Sequence, residues 1–109
     1  MEIFDLCKIK SFPYKQRNKN VFYMTDEFKT RIINLAADEE IPECEMASFV
    51  IFYVIEGEAI ITVNSVEKVI NAGKCLISEP AVLSLKTKSG VKILGVQINK
   101  FVNQSINKK

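Results

Sequence analysis

Residues 49–55 are apolar at all seven positions, and this run constrains the fold more than any other stretch of the chain. Seven residues are too few for a typical buried helix and far too few for a helix that spans a bilayer. The β-branched and aromatic side chains of the run favour a β-strand that is covered on both faces. We therefore expect other parts of the protein to pack over both faces of this strand.

Further short strand signals precede and follow the run. Turn-forming residues separate them, including Gly57, Asn64-Ser65 and Gly73. Short strands at this spacing are typical of an all-β sandwich or barrel. The charged segment 37–45, which contains Pro42, is predicted to be a loop. No helix is expected beyond a turn near residues 25–29 and a frayed end after Asn99. The predicted strands cover residues 28–36, 48–55, 58–63, 66–70, 74–78, 83–87 and 91–98.

The length of 109 residues allows one domain. We expect an N-terminal arm with strands over residues 1–27, a barrel over residues 28–98 and a flexible tail over residues 99–109. The arm is a candidate contact for dimerisation. It is also basic, which we interpret as a solvated surface. Its positive charges are Lys8, Lys10, Lys15, Arg17 and Lys19.

The composition is that of an ordinary globular protein, with 48% hydrophobic residues and a net charge of +2. This charge is too small to indicate a nucleic-acid partner, and no membrane partner is expected. Cys7, Cys44 and Cys75 are too widely spaced for a disulfide framework or a zinc ribbon. No secretory signal is visible at the start of the chain. We therefore expect a reduced, cytoplasmic protein.

Two motifs and a proline give the chain a family resemblance. The segment Phe52-Tyr-Val-Ile-Glu-Gly57 is followed by Asn71-Ala-Gly-Lys74 and then by Pro80. Together they resemble the conserved hairpin, turn and proline of small single-domain cupins, the RmlC-like jelly rolls. The resemblance covers residues 28–98. It implies an all-β double-stranded β-helix, the cupin or RmlC-like jelly-roll barrel.

The resemblance fails at the metal ligands. Cupins place two histidines, a glutamate and a third histidine around a metal, but this chain contains no histidine. The four positions fall on Cys44, Met46, Val50 and Leu85, with Leu83 as the alternative for the last. Valine and leucine have no lone pair to offer, and a thiol with a thioether makes a poor site for a divalent ion. We therefore expect neither a metal nor another cofactor.

The same positions predict an apolar pocket instead. Side chains two residues apart on a strand share a face, so Phe52 points inward with Val50. The predicted ligand-binding residues are Cys44, Met46, Val50, Phe52, Leu83 and Leu85. A small apolar or amphiphilic molecule is the expected ligand. The opposite face of the strand is also apolar, and we expect a homodimer to cover part of it.

These features favour a metal-free ligand-binding or sensory module, related to the sensory domains of AraC-type regulators. The alternative is a cupin-type enzyme with isomerase-like or dioxygenase-like chemistry at an atypical site, but the absence of histidine argues against catalysis. Cys44 is the candidate nucleophile, although the two flanking glutamates work against its activation. A further possibility is that Glu43, Glu45 and Glu79 surround the pocket and select a cationic or polyhydroxyl ligand.

Overall fold

The computed structural model describes residues 1–99. Apart from Asn99, the predicted tail lies outside these residues. The described part of the chain forms a kinked 3-10 helical segment at Tyr14–Asn20, followed by strands. The strands are β1 (Val21–Met24), β2 (Phe28–Leu35), β3 (Glu40–Met46), β4 (Phe49–Val63), β5 (Val66–Asn71), β6 (Cys75–Ser78), β7 (Ala81–Lys86) and β8 (Val91–Ile98).

The strands make two antiparallel sheets that share β4. In one sheet, the first half of β4 pairs with β6 on one side and with β8 on the other, and β8 continues to β2 and β1. In the other sheet, the second half of β4 lies between β5 and β7, and β7 pairs with β3 at the edge. This arrangement confirms the predicted all-β fold.

Gly57 marks the place where β4 passes from one sheet to the other. Residues up to Gly57 pair with β8, while Glu58 is the first to pair with β5. Gly57 has a φ of +85°, which favours glycine. A Cβ at this position would overlap the carbonyl oxygen of Gly90 and lie 2.9 Å from the Cα of Val91. The glycine therefore permits both the bend and the close approach of the next strand.

The inner faces of the two sheets enclose the hydrophobic core. Val54 and Ile93 from the first sheet and Ala59 and Ile61 from the second are fully buried. Each fully buried Val or Ile side chain contributes about 1.5–3 kcal/mol relative to an exposed one. These contacts hold the sheets together at one end of the barrel, and the other end contains the cavity described below.

Two sequence predictions about strand boundaries were wrong. Most of the segment 37–45, predicted to be a loop, belongs to β3 (Glu40–Met46), and the predicted break at Gly57 lies within the continuous strand β4. β3 is an edge strand whose register shifts between Ile41 and Cys44. Proline and charged side chains are tolerated at such an edge because one side of the strand needs no backbone partner.

The N-terminal arm lies against the outer face of the first sheet. The Nζ of Lys92 donates a hydrogen bond to the carbonyl oxygen of Cys7 over 3.3 Å, and the ring of Phe4 packs edge-on against Phe22 at 4.8 Å between centroids. On this face Ile32 is fully buried. Farther along, at β4 and β6, Tyr53 remains 41% exposed. The arm therefore covers part of the outer apolar face within a single chain.

Candidate functional site

A cavity of about 150 Å³ lies between the two sheets and opens beside the 3-10 segment. The side chains on its walls include all six residues that the sequence predicted to form a pocket. Val50, Leu83 and Leu85 are buried, Met46 and Phe52 are half-buried, and Cys44 is exposed at the rim. The structure thus brings the six residues together, while their role in binding a ligand remains a prediction.

The position of each strand explains this convergence. Cys44 on β3 lies opposite Leu83 on β7, and Met46 follows two residues later on the same strand. Val50 and Phe52 on β4 face them from the other sheet. Ile33 and Leu35 of β2 and Ile41 of β3 complete the apolar wall. A ligand inside such a cavity has its apolar surface removed from water. This removal is the main source of affinity for small apolar molecules.

Residues 12–20 form one side of the mouth, a contribution that the sequence did not reveal. Asn20 is buried at 7% exposure and holds this loop closed. Its Oδ1 accepts a hydrogen bond from the backbone N–H of Phe12 at 2.7 Å, and its Nδ2 donates to the carbonyl oxygen of Phe12 at 3.0 Å. Phe12, Tyr14 and Arg17 line the cavity as a result.

Arg31 on β2 brings a positive charge into the cavity wall. It pairs with Gly95 on β8. The stem of the arginine lies beside this glycine, since a Cβ at position 95 would be in van der Waals contact with the arginine Cγ at 3.4 Å. The Nη2 of Arg31 donates a hydrogen bond to Oε1 of Gln97 at 3.3 Å. Burial lowers the pKa of Arg31, and the positive charge of Arg17 lowers this pKa further. Arg31 is therefore a partly buried cation whose side-chain hydrogen-bond partner, Gln97, is neutral.

Arg17 is fixed at the mouth by Tyr14. Its guanidinium carbon lies 4.4 Å from the centroid of the tyrosine ring, and its Nη1 donates a hydrogen bond to the tyrosine carbonyl oxygen at 3.2 Å. Of the 15 lysine and arginine residues in the chain, only Arg17 and Arg31 are arginines. Both line the cavity, while no lysine within residues 1–99 does so. Arg17 therefore brings one of the five positive charges of the arm to the cavity, while the four lysines of the arm lie outside its wall.

The acidic ring suggested by the sequence does not form. Glu43, Glu45 and Glu79 are all exposed, and none of them lines the cavity. Among the described residues, no aspartate or glutamate is part of the cavity wall. A cationic ligand would therefore meet two guanidinium groups and no carboxylate.

The donor atoms of the cavity do not fit the metal ion that cupins hold. Residues 1–99 contain no group of three or more Cys, Asp and Glu side chains arranged to bind a metal. The cavity offers a thiol, a thioether, neutral amides and hydroxyls, and two cationic guanidinium groups. Divalent ions prefer imidazole, carboxylate or several thiolates, and positive charges nearby repel them. This donor set suits an organic ligand better than a metal.

Cys44 is the nucleophile closest to the cavity. Its side chain is exposed at the rim. Within the described residues, no side chain makes a hydrogen bond to its sulfur. The other two cysteines, Cys7 in the arm and Cys75 on β6, are also free and exposed. Cys44 is therefore accessible to reagents from the mouth of the cavity.

The sequence matches no protein family profile and no curated protein. Known structures, in contrast, are similar to it. The TT1209 protein of Thermus thermophilus has a TM-score of 0.78 at 19% identity, over 90% of this chain and 97% of that one. A cupin superfamily protein of Desulfitobacterium hafniense has a TM-score of 0.68 at 18% identity, over 72% of each chain.

An enzyme is also among the similar structures. A variant of salicylate 1,2-dioxygenase from Pseudoaminobacter salicylatoxidans has a TM-score of 0.63 at 15% identity, over 67% of this chain but only 21% of that one. Sequence identities this low establish the fold and leave the activity open.

Within residues 1–99, no helix is long and apolar enough to cross a membrane. The two sheets sharing β4, together with these structural similarities, show that the chain has the cupin fold, a small RmlC-like jelly roll without the family's histidines.

Proposed function

We propose that this protein is a small-molecule-binding or sensory module whose cupin barrel works without a metal. The observation that carries the proposal is the cavity of about 150 Å³ between the sheets, which has apolar walls and a polar mouth. Apolar cavities of about this volume bind molecules of the size of benzene. A ligand with one ring or a short hydrocarbon chain fits this space.

Blocking the mouth of the cavity tests this proposal. Cys44→Trp places a large side chain at the rim, where Cys44 is exposed, so that folding is little affected. We expect the unmodified chain to bind benzamide, a neutral one-ring probe, with a Kd of about a millimolar or tighter. The variant should bind it at least about tenfold more weakly. Chemical shifts of Ile33, Leu83 and Leu85 during an NMR titration measure both constants.

Cys75→Trp is the matched control, since it adds the same side chain at an exposed cysteine that does not line the cavity. It should leave benzamide binding unchanged. In the unmodified chain, benzamide should also slow the alkylation of Cys44 by iodoacetamide and leave Cys75 unaffected. If benzamide and similar one-ring or short-chain probes all leave the resonances of the cavity walls unshifted, the proposal is wrong.

A cupin-type enzyme remains the alternative. The salicylate dioxygenase variant has the same fold, and the thiol of Cys44 is accessible from the mouth of the cavity. General acid–base catalysis requires a group that can exchange a proton close to the substrate. Among residues 1–99 the cavity walls offer Cys44 and Tyr14 for this purpose, and no carboxylate lines the cavity with them. A binding role is therefore better supported than a catalytic one.

The homodimer and the cytoplasmic location also remain predictions. An exposed apolar patch on β4 and β6 supports the dimer, because Ile51 lies opposite Ile77, which is 68% exposed. The sedimentation coefficient of the full chain tests it. The three free, exposed thiols favour a reducing compartment.

A further inference from the structure

We propose that the ligand of this cavity is an amphiphilic carboxylate, with its apolar body between the sheets and its carboxylate on Arg31 and Arg17. This inference rests on the proposed binding function and adds the chemical class of the ligand. It follows from the placement of the two arginines, from the absence of a carboxylate beside them among residues 1–99, and from the size of the apolar space.

The first argument is that neither arginine is neutralised. Within residues 1–99 the ion pairs are Lys8 with Asp5 and Lys86 with Glu67, so neither Arg17 nor Arg31 has a carboxylate within 4 Å. The hydrogen-bond acceptors of the two arginines are neutral: the amide of Gln97 and a backbone carbonyl. A partly buried charge is costly unless a charge of the opposite sign accompanies it. A bound anion would supply that charge.

The second argument is geometric. The guanidinium group of Arg31 has five N–H donors in one plane, and the bond to Gln97 uses only one of them. A carboxylate can accept two parallel hydrogen bonds from such a group, an arrangement that lysine cannot provide. This preference accounts for the presence of both arginines of the chain, and of no described lysine, in the cavity walls.

The third argument concerns the rest of the ligand. Arg31 occupies the same face of β2 as Ile33 and Leu35, which continue the wall toward the interior. An anion held at Arg31 therefore has apolar walls beyond it. Inorganic anions and acetate would leave that space unfilled. Outside the mouth, Lys10 and Lys19 lie 5.3 and 5.4 Å from the ring centroid of Phe12, and their charges attract anions to this end of the barrel.

Benzoate and benzamide provide a direct test, because they have nearly the same shape and differ in charge. Calorimetric titration of the full chain should give benzoate at least about tenfold higher affinity than benzamide, since hydrogen bonds to charged groups are the stronger ones. Acetate and inorganic phosphate should bind at least about tenfold more weakly than benzoate. Raising the salt concentration should weaken benzoate binding and leave benzamide binding unchanged.

Arg31→Met removes the charge and keeps a long, flexible stem. This variant should lose at least about tenfold in benzoate affinity and retain its affinity for benzamide. Lys29→Met is the matched control, because it removes the same charge two residues earlier on the same strand, outside the cavity. It should bind both probes as the unmodified chain does. Without ligand, Arg31→Met should melt no earlier than the unmodified chain, whereas a purely structural arginine would make its loss destabilising.

The outcomes separate the two proposals. If benzoate and benzamide bind with equal affinity, and Arg31→Met changes neither, the carboxylate inference is overturned while the binding function stands. If acetate or phosphate binds as tightly as benzoate, the arginines bind simple anions, and the proposal of an amphiphilic ligand is overturned. If none of these probes binds, both proposals fail.

Discussion

Replacing Gly57 with alanine is expected to prevent stable folding, or to lower the melting temperature by at least about 8 °C. The new Cβ would overlap the carbonyl oxygen of Gly90 and approach the Cα of Val91, and both are backbone atoms that cannot rotate away. Overpacking of this kind costs about 1–3 kcal/mol, and the left-handed backbone conformation adds about 1–2 kcal/mol. Each kcal/mol lowers the melting temperature of a domain this size by roughly 4–8 °C.

Gly73→Ala is the control for this prediction. Gly73 has a φ of +88°, almost the same as that of Gly57, but no atom lies within 4 Å of a Cβ added there. Its substitution should therefore lower the free energy of unfolding by the backbone strain alone, about 1–2 kcal/mol. Thermal unfolding followed by circular dichroism gives both values. If the melting temperature falls equally in the two variants, β8 does not pass this closely beside Gly57.

Placing three histidines in the cavity wall is expected to create a metal site. The variant combines Cys44→His, Met46→His and Leu83→His. The structure favours Leu83 over Leu85 for the third position because Leu83 lies directly opposite Cys44. Three imidazoles on neighbouring positions of two paired strands can meet at one ion. The affinity for Zn²⁺ should rise at least about a hundredfold above that of the natural chain.

Isothermal titration with Zn²⁺ measures this gain, and the expected stoichiometry is one ion per chain. Because Leu83 is buried, its replacement lowers stability, so circular dichroism must first show that the variant folds. Zn²⁺ at about a hundred times its Kd should then add about 2.7 kcal/mol to the free energy of unfolding. The single variant Cys44→His is the control and should gain little. A folded triple variant without Zn²⁺ affinity would show that these positions do not converge as described.

The sequence was sufficient to predict the fold and the inner wall of the cavity. The cupin resemblance put Val50 on the inner face, the alternation of side chains along a strand put Phe52 beside it, and two short motifs around Gly57 and Gly73 indicated the jelly roll. The motifs are contiguous and the alternation holds for any strand, so a single sequence is enough to recognise both. The structure places all six predicted residues around one cavity.

The sequence did not reveal the polar mouth. The loop of residues 12–20 is closed by the hydrogen bonds of Asn20 to the backbone of Phe12, and such a contact leaves no periodic pattern. Arg31 could have been placed in the wall, because it lies two residues before Ile33 on the same strand face. A second signal was that only two of the 15 basic residues are arginines. β3 was missed because Pro42 and its charged neighbours are typical of loops as well as of edge strands.

The metal content of the natural protein tests the central claim most directly. The chain is purified without an affinity tag from medium supplemented with manganese, iron, nickel and zinc, and its metals are measured by mass spectrometry. The donor atoms of the cavity predict less than about a tenth of an ion per chain. A value near one ion per chain, removed by chelators and lost in a Cys44→Ala, Met46→Ala variant, would contradict the account.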